Sequence, residues 1–153
     1  PRADWRLGLV GDTAVDPRYF TSLQPQLAEL GENVMQYGRL PDPDLARLLQ
    51  TSHVLVVPSS YEGFGIVYLE AMAAGLPAIA TTAGAAGEII TPSVDGWLIG
   101  PDDDAALARH LAQLHAYRDQ LAQMGQAALA RWQRHPTWHE SMTRAGQFLV
   151  DGF

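Results

Sequence analysis

Short apolar runs alternate with helical patterns along the chain, and glycine and proline separate one from the next. The runs at 6–10, 34–37, 54–57, 78–81 and 96–99 each give way to Gly, Pro, Ser or Asp. That rhythm predicts the parallel strands of βαβ units. Between them, Leu45, Leu48 and Leu49 share one helix face, opened by Asp42 and Pro43 as cap and first-turn proline. A helix over 66–74 should end at Gly75, ahead of Pro77. The acidic run 102–104 caps a stripe of Leu107, Leu111 and Leu114. Leu121, Met124, Ala128 and Trp132 form a further stripe that stops near Pro136. Thr137 and Glu140 then form a capping box for a last helix carrying Trp138, Met142, Ala145 and Leu149 on one side. Pro17 and Pro25 interrupt the remaining signal, so 11–21 is expected to be an irregular loop. The pattern therefore predicts an α/β fold, a Rossmann-like parallel sheet of about five strands flanked by helices, with extra C-terminal helices.

Composition narrows the chemistry. The chain has 153 residues, a net charge of -7 and no cysteine. All 10 of its basic residues are arginine. With no lysine, it offers no Schiff-base amine, P-loop lysine or lysine phosphate clamp. The acidic balance and the lack of a basic stripe argue against a nucleic-acid backbone or an anionic membrane as partner. No apolar run is long enough to span a bilayer. The absence of cysteine removes thiolate metal sites and suits a reducing compartment.

The most informative stretch is 58–87. Glu62 and Glu70 have seven residues between them, and Glu70 is the only charge between Gly63 and Gly87. A carboxylate among Ile, Val, Leu, Ala and Met carries a desolvation penalty unless it faces a cleft or a partner. The loop 58–65 should leave a strand end and enter a helix N-terminus, where glycines allow close backbone approach and N–H groups favour phosphate or sugar oxygens. With a rise of 1.5 Å per residue the two carboxylates can stand roughly 10 Å or more apart, which suits holding two ends of an extended ligand. A carboxylate that accepts two vicinal hydroxyls is the usual grip on a ribose.

Tyr61-Glu62-Gly63-Phe64-Gly65, followed by Glu70-Ala71-Met72-Ala73-Ala74-Gly75-Leu76-Pro77, resembles the E-x7-E signature of retaining GT-B glycosyltransferases of family 4. The likeness extends to the Gly84 to Glu88 turn and to Asp95-Gly96-Trp97-Leu98-Ile99. The resemblance implies a donor-binding domain for a nucleoside diphosphate sugar, a UDP- or GDP-hexose, with no required cofactor and no catalytic metal. Glu70 would bind the ribose hydroxyls. Glu62 would stand at the donor sugar as the catalytic carboxylate. Gly63, Phe64 and Gly65 would contact sugar or diphosphate through their amides, and Ile66 and Val67 would pack near ribose and diphosphate. Gly38, Arg39 and Leu40 would frame the base, although Arg39 reads more simply as an exposed loop arginine. Ala85 stands where a second glycine is common, which questions a close backbone contact there.

The resemblance further implies that 1–153 is one donor-binding domain lacking its first βα unit, whose strand would be central and whose Arg and Lys would neutralise the diphosphate. An N-terminal acceptor domain in the same polypeptide would be the partner. The setting would be cytoplasmic, with any attachment to the inner membrane face made through that other domain. The rival readings are a nucleotide-sugar-binding or regulatory module without transfer, and a GT-B epimerase; a phosphorylase would need the lysine this chain lacks.

Other residues carry less. Glu88 reads equally as a helix-start acid or a ligand contact. His53, His110, His115, His135 and His139 share no face suited to a metal. Ser59 and Ser60 lack a nucleophile elbow and read as turn residues. Trp132 and Trp138 read as helix-packing residues.

Overall fold

A computed structural model describes residues 5–61 and 63–151. It forms two compact units, one up to Leu45 and one from Ala46 onward.

The first unit pairs β1 (Leu7–Val10) with β2 (Val34–Gly38) in parallel, Leu7 beside Val34. Between them α1 runs over Pro17–Leu30 and a 3-10 turn over Gly31–Asn33. The expected loop at 11–21 is thus a helix from residue 17 onward. Asp16 accepts a hydrogen bond from the Tyr19 N–H at 3.0 Å, and Pro17 sits in the first turn, where its missing N–H costs nothing. Pro25 lies inside the helix and forgoes one hydrogen bond without ending it.

The helix α2 (Asp42–Thr51) leads from the first unit into the second, with the Pro41 carbonyl accepting from Asp44 and Leu45. In the second unit β3 (Leu55–Val57), β4 (Ala78–Thr81) and β5 (Gly96–Ile99) form a parallel sheet in that order. The five expected strands are present and all parallel, and among the described residues they fall into two sheets, one of two strands and one of three.

Strand β4 is buried along its length, which is why it reads as a continuous apolar run. Its alternation feeds two cores. Ala78 and Ala80 pack with Tyr68, Met72, Ala86, Ile89, Ile90 and Ala128. Ile79 packs on the other face with Trp97, Ile99, Ala106, Leu114, Leu121 and Met124. The helices supplying these residues are α3 (Ile66–Ala73), α4 (Ala86–Ile89), α5 (Asp104–Ala116) and α6 (Arg118–Arg134).

Local signals account for the helix ends. Asp103 caps α5 by accepting from the Ala106 N–H at 2.8 Å. After α3, the Leu76 N–H donates to the Ala71 carbonyl and the Gly75 N–H to that of Met72, with Gly75 left-handed, a Schellman cap. Gly75 also meets α6, because a Cβ on Gly125 would stand 2.6 Å from the Gly75 carbonyl oxygen. The capping box of α7 (Trp138–Asp151) forms as expected, and its bonds from Thr137 hold the Glu140 carboxyl below its ordinary range. Among the described residues nothing covers the apolar side of α7: Trp138 is 81% exposed and Phe148 75%. The packing role expected of Trp138 is therefore not met, and Trp132 is half exposed.

His110 stacks on Trp97, with ring centroids 4.5 Å apart and planes 18° from parallel. Its Nδ1 is buried and has no hydrogen-bond partner among the described residues. Burial, then the charge of Arg109, lowers its pKa, with Asp103 opposing. Because the folded state disfavours the charged ring, this contribution to stability is complete above the ordinary value of 6.5 and is lost as pH falls from there through the lowered folded-state value. The melting temperature is expected to drop between pH 7.5 and 5.5, and to drop less in His110→Phe, which keeps a ring on Trp97; equal drops would count against this account.

Candidate functional site

The site is built at the carboxyl ends of β3 and β4, where open α/β sheets bind ligands. Past Val57 the chain enters the loop 58–65. Its Ser59 carbonyl accepts a hydrogen bond from the Thr81 hydroxyl at the end of β4. The loop ends at Gly65, which has a φ of 82° and caps α3 without a side-chain hydrogen bond. A Cβ at Gly65 would overlap the Tyr68 ring, so both the turn and the close approach require glycine. Tyr68 is itself fully buried.

Helix α3 buries Tyr68, Ala71 and Met72 and turns Ile66, Glu70 and Ala73 outward. These three are four and three residues apart, so they form one exposed face. Glu70 is therefore solvated, and the desolvation penalty anticipated for it does not arise. It stands about 7.5 Å along the helix axis from Gly65. Beside it in the sequence, Tyr61 and Phe64 are 76% and 57% exposed. Gly63 is exposed, with no other described residue within 4 Å of where a Cβ would sit. Gly65 is buried, Ile66 exposed and Val67 half-buried. Thus Gly63, Phe64, Gly65, Ile66, Val67 and Glu70 fall within one loop and helix start. Glu62 lies outside the described residues.

Gly38, Arg39 and Leu40 belong to the first unit, directly after β2. Gly38 has a φ of 64°, and its carbonyl accepts from the Gly11 N–H at 2.9 Å. Arg39 is exposed and Leu40 half-buried.

Ala85 has a φ of -83°, so its backbone needs no glycine. Glu88 lies in the first turn of α4 with an exposed side chain, and its carbonyl accepts from the Arg131 guanidinium at 2.9 Å. No group of three or more His, Cys, Asp or Glu suited to a metal occurs among the described residues. No helix there is long and apolar enough to cross a membrane.

Two buried polar residues, Thr81 and Asp95, were given no structural role by the sequence, Asp95 entering only as part of the likeness at 95–99. Asp95 is 2% exposed and accepts from the Thr91 N–H at 2.7 Å, closing the turn before β5. Burial raises its pKa, opposed by that hydrogen bond and by the charge of Arg131. The spacing of Thr91 and Asp95 was the available signal. A hydroxyl closing an otherwise apolar buried strand was the signal for Thr81.

The sequence compares closely with known proteins. A GDP-mannose-dependent monoacylated alpha-(1-6)-phosphatidylinositol monomannoside mannosyltransferase of Corynebacterium glutamicum is 33% identical over 144 residues, 90% of this chain and 36% of that protein. The crystal structure of HepE of Anabaena in complex with UDP superposes with a TM-score of 0.85 at 26% identity, covering 97% of this chain and 42% of that one. HepE in complex with UDP-glucose gives 0.82 at 27% identity, over 95% and 41%. The chain thus spans about two fifths of the length of such proteins. The model of the family described as Glycosyl transferases group 1 matches residues 2–131, and the chain belongs to that family.

Proposed function

We propose that the chain is the donor-binding part of a longer polypeptide that transfers a hexose from a nucleoside diphosphate sugar to an acceptor hydroxyl, with retention of configuration. The observation that carries this reading is that Gly63, Phe64, Ile66 and Glu70 are all exposed on the loop and helix start that follow the carboxyl end of β3. It is supported by the likeness to HepE, whose structures hold UDP and UDP-glucose, and to a mannosyltransferase whose name specifies GDP-mannose.

In this reading Glu70 accepts the two ribose hydroxyls. The amides of Gly63, Phe64 and Gly65 meet diphosphate and sugar oxygens, and the helix start of Ile66 and Val67 flanks them. Glu62 orients the sugar instead of acting as a hydrolase acid. Gly38 to Leu40 frame the base. The bond from the anomeric carbon to the diphosphate oxygen breaks as the acceptor hydroxyl approaches the same face. The new glycosidic bond forms there, and the acceptor proton passes to the departing oxygen. The amides and cations around the phosphates stabilise the developing charge. Since this chain has no lysine, the cation set is completed by the rest of the polypeptide. We assign the reaction to the cytoplasm, with acceptor binding and any membrane contact made by the remaining domain.

Calorimetry on the full-length polypeptide tests the reading. UDP-glucose or GDP-mannose is expected to bind with one-to-one stoichiometry; no heat from either sugar nucleotide, nor from UDP or GDP, would overturn it.

A further inference from the structure

We infer that Thr81 is a positioning residue that latches the donor loop. Its hydroxyl, held at the end of the central strand, sets the loop from which the amides of Gly63 to Gly65 reach the diphosphate sugar. The inference rests on the donor-binding reading and deepens it.

In the β3–β4 ladder Leu55 lies beside Ala78, Val56 beside Ile79 and Val57 beside Ala80. One step further would bring Pro58 beside Thr81, but proline has no N–H and cannot extend the ladder. The main chain leaves the sheet there, and the Thr81 Oγ1 takes over by donating to the Ser59 carbonyl across 22 residues of sequence. Thr81 is anchored for this. It is 3% exposed, it lies opposite Ile99 in the β4–β5 ladder, and the next N–H, that of Thr82, donates to the Ile99 carbonyl at 2.8 Å. A β-branched side chain has few χ1 rotamers, so the direction of its hydroxyl is set at small entropic cost.

The far end of the loop is held separately. Gly65 packs on the Tyr68 ring, and a Cβ there would also touch Ile89 at 3.4 Å. Between the two clamps Tyr61, Gly63 and Phe64 face solvent. Releasing the Thr81 end multiplies the conformations from which a donor must select, and apparent affinity falls with the fraction that is competent to bind.

Thr81→Val keeps the shape and removes the donor; Thr81→Ser keeps the donor. Calorimetry on the full-length polypeptide uses UDP-glucose, GDP-mannose and the monophosphates UMP and GMP. Thr81→Val is expected to weaken the bound sugar nucleotide about tenfold, the scale of one hydrogen bond. It should leave the matching monophosphate within about twofold, and Thr81→Ser should restore sugar-nucleotide affinity to within about threefold. A loss under twofold, an equal loss for the monophosphate, or no rescue by serine overturns the latch. If valine also lowers the melting temperature, Leu121→Ala, in the opposite core, is the control, and an equal loss of affinity there overturns it too. Loss of affinity in Glu70→Ala with none in Thr81→Val sinks the latch alone. A wild type that binds no nucleotide or sugar nucleotide sinks the donor reading with it.

Discussion

Glu70→Ala in the full-length polypeptide is expected to weaken nucleoside diphosphate sugar binding by roughly 30- to 150-fold, about 2–3 kcal/mol, while leaving the fold intact. The size follows from removing one charged acceptor from an exposed face, where water replaces part of what is lost and about the value of a single charged hydrogen bond, 1.5–3 kcal/mol, remains. The selectivity follows from position. Glu70 lies on the outward face of α3 with Ile66 and Ala73, while Tyr68, Ala71 and Met72 make the packing contacts. Alanine is also the better helix former, so stability should change by about 0.5 kcal/mol or less. Glu70→Gln, which retains one carbonyl acceptor, should fall between the two. Calorimetry against the bound sugar nucleotide, beside a thermal melt, separates the effects. An alanine variant with unchanged affinity removes Glu70 from the ribose and leaves the family assignment standing.

The largest loss of stability is expected from Gly96→Ala. Glycine at this position lies beside Ala78 in the β4–β5 ladder, and an added Cβ would overlap the Ala78 carbonyl oxygen and stand 2.9 Å from Ile90 Cγ2. Neither neighbour can yield cheaply. Ala78 is fixed in the central strand, its N–H donating to the Asp95 carbonyl, and Ile90 is buried in the first core. The turn before Gly96 is closed as well, by the Thr91 N–H to Asp95 and by the Ser93 N–H to the Gly96 carbonyl at 2.8 Å. Overpacking of this kind costs about 3 kcal/mol or more where backbone cannot move. For a chain of this size that lowers the melting temperature by about 6–12 °C. A melt within about 2 °C of wild type would show that the strand shifts to accommodate the methyl.

The alternation of short apolar runs with glycine and proline was enough to locate all five strands, and most plainly β4, which is buried along its length and so reads as an apolar run up to Thr81. The ends of α3 and α5 and the box before α7 were legible for a similar reason: Gly75, Asp103, Thr137 and Glu140 satisfy backbone groups within their own turn. Helix α1 was hidden because Pro25 reads as a breaker, although its cost is one hydrogen bond that fourteen residues can absorb. The glycines and Glu70 of the candidate site stood out by type and spacing. Thr81 and Asp95 did not, because their partners, the Ser59 carbonyl and the Thr91 N–H, are backbone groups that every residue possesses. The outward face of α7 was illegible in another way, since a pattern of apolar positions announces a face and says nothing of what covers it.

That last helix has a thermodynamic consequence. Its side chains from Met142 to Val150 are all exposed, so little apolar surface is lost or gained when it opens. An isolated helix of this length is marginal in water, and its capping box adds only about 1 kcal/mol. Opening α7 is thus a local event that bypasses global unfolding, whereas the amides of β4, enclosed between two cores, open only when the sheet itself comes apart. The second unit is therefore expected to have two tiers of cooperativity along one chain, with the slowest-exchanging amides in β4, the strand that ends at Thr81.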